Sequence, residues 1–406
     1  MKRHGSLNCI YRLVWSRVTN SWVAVAETTH GRGKGGGKSE RRRLIAAALS
    51  LTAVTFAAPF AQAGPTGGQV VSGNGAITQS GSTTTIKQGS QNLSLNWNTF
   101  NIAASETVDF VQPSASAIAV NRIFDTNGSQ ILGHLDANGQ VYLINPNGIV
   151  FGQGAQVNVG GLVASTLNIS DSGLNGNARS FSGNGTGSIV NQGTINAASG
   201  GYVALLGNHV SNQGTVTAQL GTVGLGAGSA VTLTFNGNSL VHLQIDKSVL
   251  NSLAENGGLI RADGGTVIMS AGAADSLLAS VVNNTGVIEA RTVQNLGNEQ
   301  TGTITLLGGM AAGTVNVNGT LDASAPNGGN GGFIETSAAS VKVADATHLT
   351  TLAPNGLTGS WLIDPKDYTV QASGGDITGT ALGSLLNSSN ISINSASGAS
   401  GTSGNV

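Results

Sequence analysis

The chain lacks most of what an average enzyme is built from. Of its 406 residues only one is a cysteine, Cys9, close to the N-terminus. The rest of the chain therefore has no disulfide and no thiolate metal site. It also stays linear, with no bridged loop. Aromatic residues make up 4% and charged residues 9%, an unusual composition for a catalytic domain. Basic charge is scarce beyond residue 63, where eight Lys/Arg face seventeen Asp/Glu. A surface about nine units negative is a poor phosphate binder, so no nucleic acid is expected as a partner. No hydrophobic run is long enough to anchor the chain. The longest, residues 44–58, has 15 residues, against roughly 20 for a membrane span.

Glycine is abundant, with 61 residues, beside a small apolar set of Val, Ile, Leu and Ala. These recur in a phrase: Gly193-Thr194-Ile195-Asn196-Ala197, Gly214-Thr215-Val216-Thr217-Ala218, Gly258-Leu259-Ile260-Arg261-Ala262, Gly286-Val287-Ile288-Glu289-Ala290 and Gly319-Thr320-Leu321-Asp322-Ala323. A second phrase follows most copies, as in Gly201-Tyr202-Val203-Ala204-Leu205 and Gly265-Thr266-Val267-Ile268-Met269. The first two copies lie 21 residues apart, a period that marks a solenoid. Apolar residues at alternate positions, cut by Gly and Asn, read as short strands and tight turns. Disorder needs high net charge and few β-branched residues, and neither holds for residues 66–360. The expected fold is all-β, a right-handed parallel β-helix with an N-terminal cap. Roughly fifteen rungs of about 20 residues predict a rod near 70 Å long.

The leader reads as two signals in series. Residues 41–63 join Arg41-Arg42-Arg43 to the apolar run and to Ala61-Gln62-Ala63, a small-x-small cleavage site that leaves Gly64 first. Residues 1–40 carry Asn8-Cys9-Ile10-Tyr11-Arg12-Leu13-Val14-Trp15-Ser16 and then Ser21-Trp22-Val23-Ala24-Val25-Ala26-Glu27. This resembles the extended signal peptide of large type V secreted proteins of Gram-negative bacteria.

Between residues 88 and 166 the text changes. It includes Leu95-Asn96-Trp97-Asn98-Thr99-Phe100, Val108-Asp109-Phe110, and Val141-Tyr142-Leu143-Ile144-Asn145-Pro146-Asn147-Gly148-Ile149-Val150-Phe151. Residues 66–310 resemble the two-partner secretion domain of filamentous haemagglutinin and the high-molecular-weight adhesins. A second short motif of some relatives, Asn-Pro-Asn-Leu, is absent. The resemblance implies export by the general machinery, then recognition of the domain by an outer-membrane β-barrel transporter and release at the cell surface. It also implies that Asn145, Pro146, Asn147 and Gly148 are needed for that recognition.

The same four residues have a purely local reading. Pro suits the second position of a turn, and Asn-Gly tolerates positive φ after it. Trp97, Phe100 and Phe110, with Phe124, Tyr142 and Phe151, read as ring packing beneath the cap, because a solenoid must close its first open rung. A ligand-stacking cluster is the alternative. Residues 311–371 continue the helix to a junction, Gly359-Ser360-Trp361-Leu362-Ile363-Asp364-Pro365, of the kind found where adhesin-like relatives pass into further repeats. Residues 372–406 then open a further region that is expected to continue in a longer exoprotein.

No chemistry is visible in this pattern. His134, His209, His242 and His348 are scattered without ligand spacing, so no metal or cofactor is expected. Asp263, Asp275 and Glu289 are carboxylates that only a fold could pair, and the glycine runs lack the Lys-Ser/Thr of a phosphate loop. The expected function is that of a secreted adhesin-like exoprotein, not an enzyme, with its surface receptor unidentified. The alternatives are a haemolysin or contact-dependent toxin, or a haem-acquisition exoprotein, sharing the same secretion domain.

Overall fold

The computed structural model describes residues 11–16, 21–26 and 64–395 except 274, 296 and 297. In the leader, Tyr11–Ser16 pairs antiparallel with Ser21–Ala26, setting Trp15 opposite Trp22. Ala61 and Ala63 of the expected cleavage site lie outside the described residues.

Residues 64–395 form a parallel β-helix with three faces. The first face stacks strands from Thr83–Gln88 to His348–Thr350. The second runs from Asn92–Trp97 to Asn390–Ile393. The third stacks eight strands from Ser129–Ile131 to Ser340–Val343. Crossovers between parallel strands of one sheet take the right-handed sense as a rule. The repeated phrases are the first two faces. Ile195, Val216, Ile260, Ile288 and Leu321 stack in register, as do Val203, Val223, Val267 and Ile304. All nine are fully buried in the lumen. At the corner leading into the first face, a Cβ on Gly214, Gly258 or Gly286 would sit 2.2 Å from the carbonyl oxygen of the glycine one rung earlier. Only glycine lets the rungs stack that closely there.

The second face has ten successive parallel pairings, hence eleven strands and a stack about 50 Å long. That is fewer rungs than the 21-residue period suggests. The chain takes about 30 residues per rung, 298 residues from Asn92 to Asn390 in ten steps. The difference lies in insertions on the corners. These include the turn and strand up to Ala178–Ser182, the hairpin of Ala230–Asn236 with Ser239–Lys247, and the helix Gly379–Leu385.

The N-terminal end is closed by a change of strand direction. Gln69–Ser72 pairs antiparallel with Asn92–Trp97, and Gly75–Ser80 pairs antiparallel with Thr83–Gln88. Both lie on the open edge of the first rung, so no parallel strand can be added there. At the other end, Trp361 of the expected junction is itself a lumen residue, fully buried, with its indole N–H donated to Thr336 Oγ1 at 3.1 Å.

Candidate functional site

Residues 145–148 turn the chain from the second face to the third. The amide of Gly148 donates to the carbonyl of Asn145 at 3.0 Å, closing the turn. The side-chain carbonyl of Asn145 accepts from the amide of Asn147 at 2.9 Å. The other end of that side chain donates to Asn127 O at 3.1 Å and to Ser129 Oγ at 3.0 Å on the rung before. Gly148 takes φ +102°, whereas Asn147 keeps a negative φ. The sequence reading allowed positive φ at both. A type I arrangement, with Asn first, Pro second and Gly last, needs it only at the end. The corner is also braced by the next rung, where the amide of Gly187 donates to Pro146 O at 3.1 Å. Asn145 and Gly148 are buried, while Pro146 and Asn147 face outward. The first pair builds the corner, and the second pair is what another molecule could touch.

The structure separates the six aromatic residues grouped by sequence. Trp97, Phe100 and Phe110 are buried in the lumen of the first rungs. Trp97 and Phe100 meet edge to face at 5.3 Å, and the Trp97 indole N–H donates to the buried Asn121 Oδ1 at 2.9 Å. Phe151 lines the lumen one face on. Phe124 does not pack under the cap, being 66% exposed where the chain leaves the second face. Tyr142 points outward instead of inward, because alternation along Gln140–Ile144 puts Val141 and Leu143 inside.

Tyr142 belongs to a second core outside the helix. Ala178–Ser182, Ala230–Asn236 and Ser239–Lys247 form an antiparallel sheet lying over the second face. Between the layers the guanidinium of Arg179 donates to Tyr142 Oη and sits 4.1 Å from the centre of the Phe235 ring. Tyr142 and Tyr202 share a hydrogen bond of 2.9 Å, and Tyr202 donates to Gln140 Oε1 at 2.7 Å. Burial pushes both phenols above their usual range, Tyr202 strongly. Both therefore stay protonated, able to donate as well as accept.

Sequence reading missed the most regular polar feature. Asn191, Asn212, Asn256 and Asn284 end successive third-face strands and are fully buried. Each side-chain amide donates to the Oδ1 of the next, at 2.8, 2.7 and 2.8 Å. The signal was present as Asn-x-Gly at 191–193, 212–214, 256–258 and 284–286. The stack ends at Val317, which occupies the next position in register.

Of the three carboxylates considered as a chemical group, two come together and the third stands apart. Asp263 and Glu289 join Arg261, Arg291 and Asp322 in an ion-pair network on the first face, with Arg291 Nε 2.8 Å from Asp322 Oδ2. Asp275 lies instead on a groove beside Ser239–Lys247. His134, His209, His242 and His348 are all exposed, on separate strands.

A family model described as the TPS secretion domain matches residues 61–317. A second, the extended signal peptide of the type V secretion system, matches residues 8–57. A protein of Haemophilus influenzae strain Rd named heme/hemopexin-binding protein is 36% identical over 209 residues, covering 49% of this chain and 23% of its own length. Another Haemophilus influenzae protein of that name is 34% identical over 231 residues, with 52% and 25% covered. The chain thus spans about a quarter of the length of these curated relatives. The crystal structure of the HMW1 secretion domain from Haemophilus influenzae superposes with a TM-score of 0.63 at 23% identity. It covers 84% of this chain and 93% of that one, which establishes the shared fold.

Proposed function

The chain belongs to the TPS secretion domain family, and on that footing we propose how its parts divide the work of export. It is a secreted exoprotein of a two-partner system, led by an extended signal peptide to the surface of a Gram-negative cell. Its partner is an outer-membrane transporter. In the proposed mechanism the leader is lost after Ala63 and the cap strands fold first as they emerge. Each later rung then docks on an edge already formed. Burying apolar side chains, worth about 1.5–3 kcal/mol each, outside the cell draws the rest of the chain outward without ATP. The exposed Pro146 and Asn147 are the part of the 145–148 corner that the transporter reads. The role assigned to these residues is non-enzymatic.

The carrying observation is that the family match, residues 61–317, takes in the antiparallel cap of the first rung. The test is secretion of a chain lacking the cap strands Gln69–Ser72 and Gly75–Ser80, in cells that hold the transporter. Export should stop in the periplasm. Normal release would contradict the cap's role.

For the activity carried by the full-length exoprotein, adhesion is the first reading, supported by the junction at 359–365. One observation favours a second. The curated relatives are named for binding heme and hemopexin, so haem acquisition is the alternative. Titrating the secreted full-length exoprotein with haem and with hemopexin discriminates the two readings.

A further inference from the structure

The sheet that covers the second face stops abruptly. Its order is Ala178–Ser182, Ala230–Asn236, Ser239–Lys247. The last strand, nine residues long, pairs with no strand on its outer edge among the described residues. Beside it runs a groove of about 910 Å³, bounded by this strand, by residues near Leu278, and by the outer side of the later rungs at Leu307 and Glu335. Leu240 O of this strand accepts from Thr222 Oγ1 at 2.6 Å; the rest of the edge, paired with no strand, is a template for another strand.

Aliphatic side chains are exposed around the groove. Leu278 is 41% exposed on its wall, and Val241 and Leu277, next to wall residues in sequence, are 50% and 84% exposed. Its charge is acidic. Four carboxylates line it, Asp246, Asp275, Glu335 and Asp364, against Lys247 alone, with His242 beside them. Among the described residues Asp246, Asp275 and Glu335 are in no ion pair, whereas Asp171, Asp263, Glu289, Asp322 and Asp376 all are. Asp246 accepts only from Thr232 Oγ1 and Glu335 only from Ser337 Oγ, bonds that leave their charges uncompensated.

We propose that the outer edge of Ser239–Lys247 is a docking site for an extended polypeptide segment of a partner protein, in which Lys or Arg alternates with aliphatic residues. Strand addition supplies the backbone hydrogen bonds. The aliphatic side chains cover Val241 and Leu278, and the cations face Asp246, Asp275 and Glu335. A second copy of this chain is a poor occupant, since beyond residue 63 it has eight Lys/Arg against seventeen Asp/Glu. Anionic ligands are repelled. The docking is independent of the route of export.

The test uses the secreted chain and an alternating Lys-Val peptide of about ten residues, the length of one added strand. Saturable one-to-one binding is expected, weakening with salt. Hydrogen-exchange protection should be confined to Ser239–Lys247 and the groove wall. The variant Asp246→Asn/Asp275→Asn/Glu335→Gln should bind about tenfold more weakly or less, and Lys247→Glu more tightly. The second variant decides the matter if the first does not fold. Equal binding of a Glu-Val peptide, protection elsewhere, or no response to either variant would overturn the proposal. So would dimerisation of the free chain through this edge.

Discussion

Asn212 donates its side-chain amide to Oδ1 of Asn256, one rung further on, at 2.7 Å, with both residues fully buried. The two are 44 residues apart in sequence, so the bond exists only when one rung has docked on the next. A buried amide without a partner costs about 1–3 kcal/mol. Each rung of the stack therefore completes the one before it.

Replacing Asn212 by Ala leaves Asn256 Oδ1 without its donor and removes the acceptor for Asn191. The expected loss is about 2–4 kcal/mol, from one or two orphaned polar groups and a small void. Urea unfolding of the secreted chain measures it. The outward-facing Asn283, one residue before the stack, should cost less than about 0.5 kcal/mol when changed to Ala.

The 145–148 corner allows shape to be separated from recognition. Gly148→Ala forces a side chain into φ +102°, where its Cβ would lie 2.8 Å from Ser188 O. It should cost about 1–3 kcal/mol and lower secretion together with stability. Pro146→Ala touches an outward residue and should leave the melting temperature within a few degrees. Under the proposed recognition it still lowers secretion. Unchanged secretion of a normally stable Pro146→Ala chain would reduce the motif to a corner.

Two carboxylates give opposite pH signatures. Asp109 is pushed above the usual range by burial and then by Asp136, its neighbour in register. Its charged form is disfavoured in the fold, so Asp109→Asn should stabilise the chain at neutral pH. That gain shrinks as pH falls through the raised folded value. Asp171 is the reverse. Burial would push it up, but the Ser94 hydroxyl and the Arg122 guanidinium at 2.6 Å outweigh this and hold it below the usual range. Asp171→Asn should destabilise above the unfolded carboxylate range, and the difference should vanish as pH falls through the lowered folded value. Thermal melts across the acid range read both signs.

The parts of this fold that were legible in sequence are those in which one rung repeats the chemistry of the last at fixed spacing. The Gly-Thr-Ile-x-Ala phrase shows both its lumen position, as at Ile195, and its crowded corner, as at Gly214. The third face escaped notice because a strand such as His209–Asn212 buries only Val210 and Asn212. Such a strand looks polar until the asparagines are stacked. Rung number was overestimated because insertions such as the hairpin ending at Lys247 add residues without adding rungs. The Arg179 cluster could not be read at all, since Gln140, Tyr142, Arg179, Tyr202 and Phe235 come together only through the outer sheet. Among the proposed site residues, Trp97 and Phe100 were visible as rings, but Asn121, which accepts from the Trp97 indole, was not.

The central claim is that residues 64 onward are a capped β-helix delivered to the surface through a partner pore. It is tested most directly by measuring the folded chain in the culture medium of cells with and without the outer-membrane transporter gene. The account predicts protease-resistant, β-rich chain in the medium only when the transporter is present, and unfolded chain degraded in the periplasm when it is not. Equal release from both strains would contradict it.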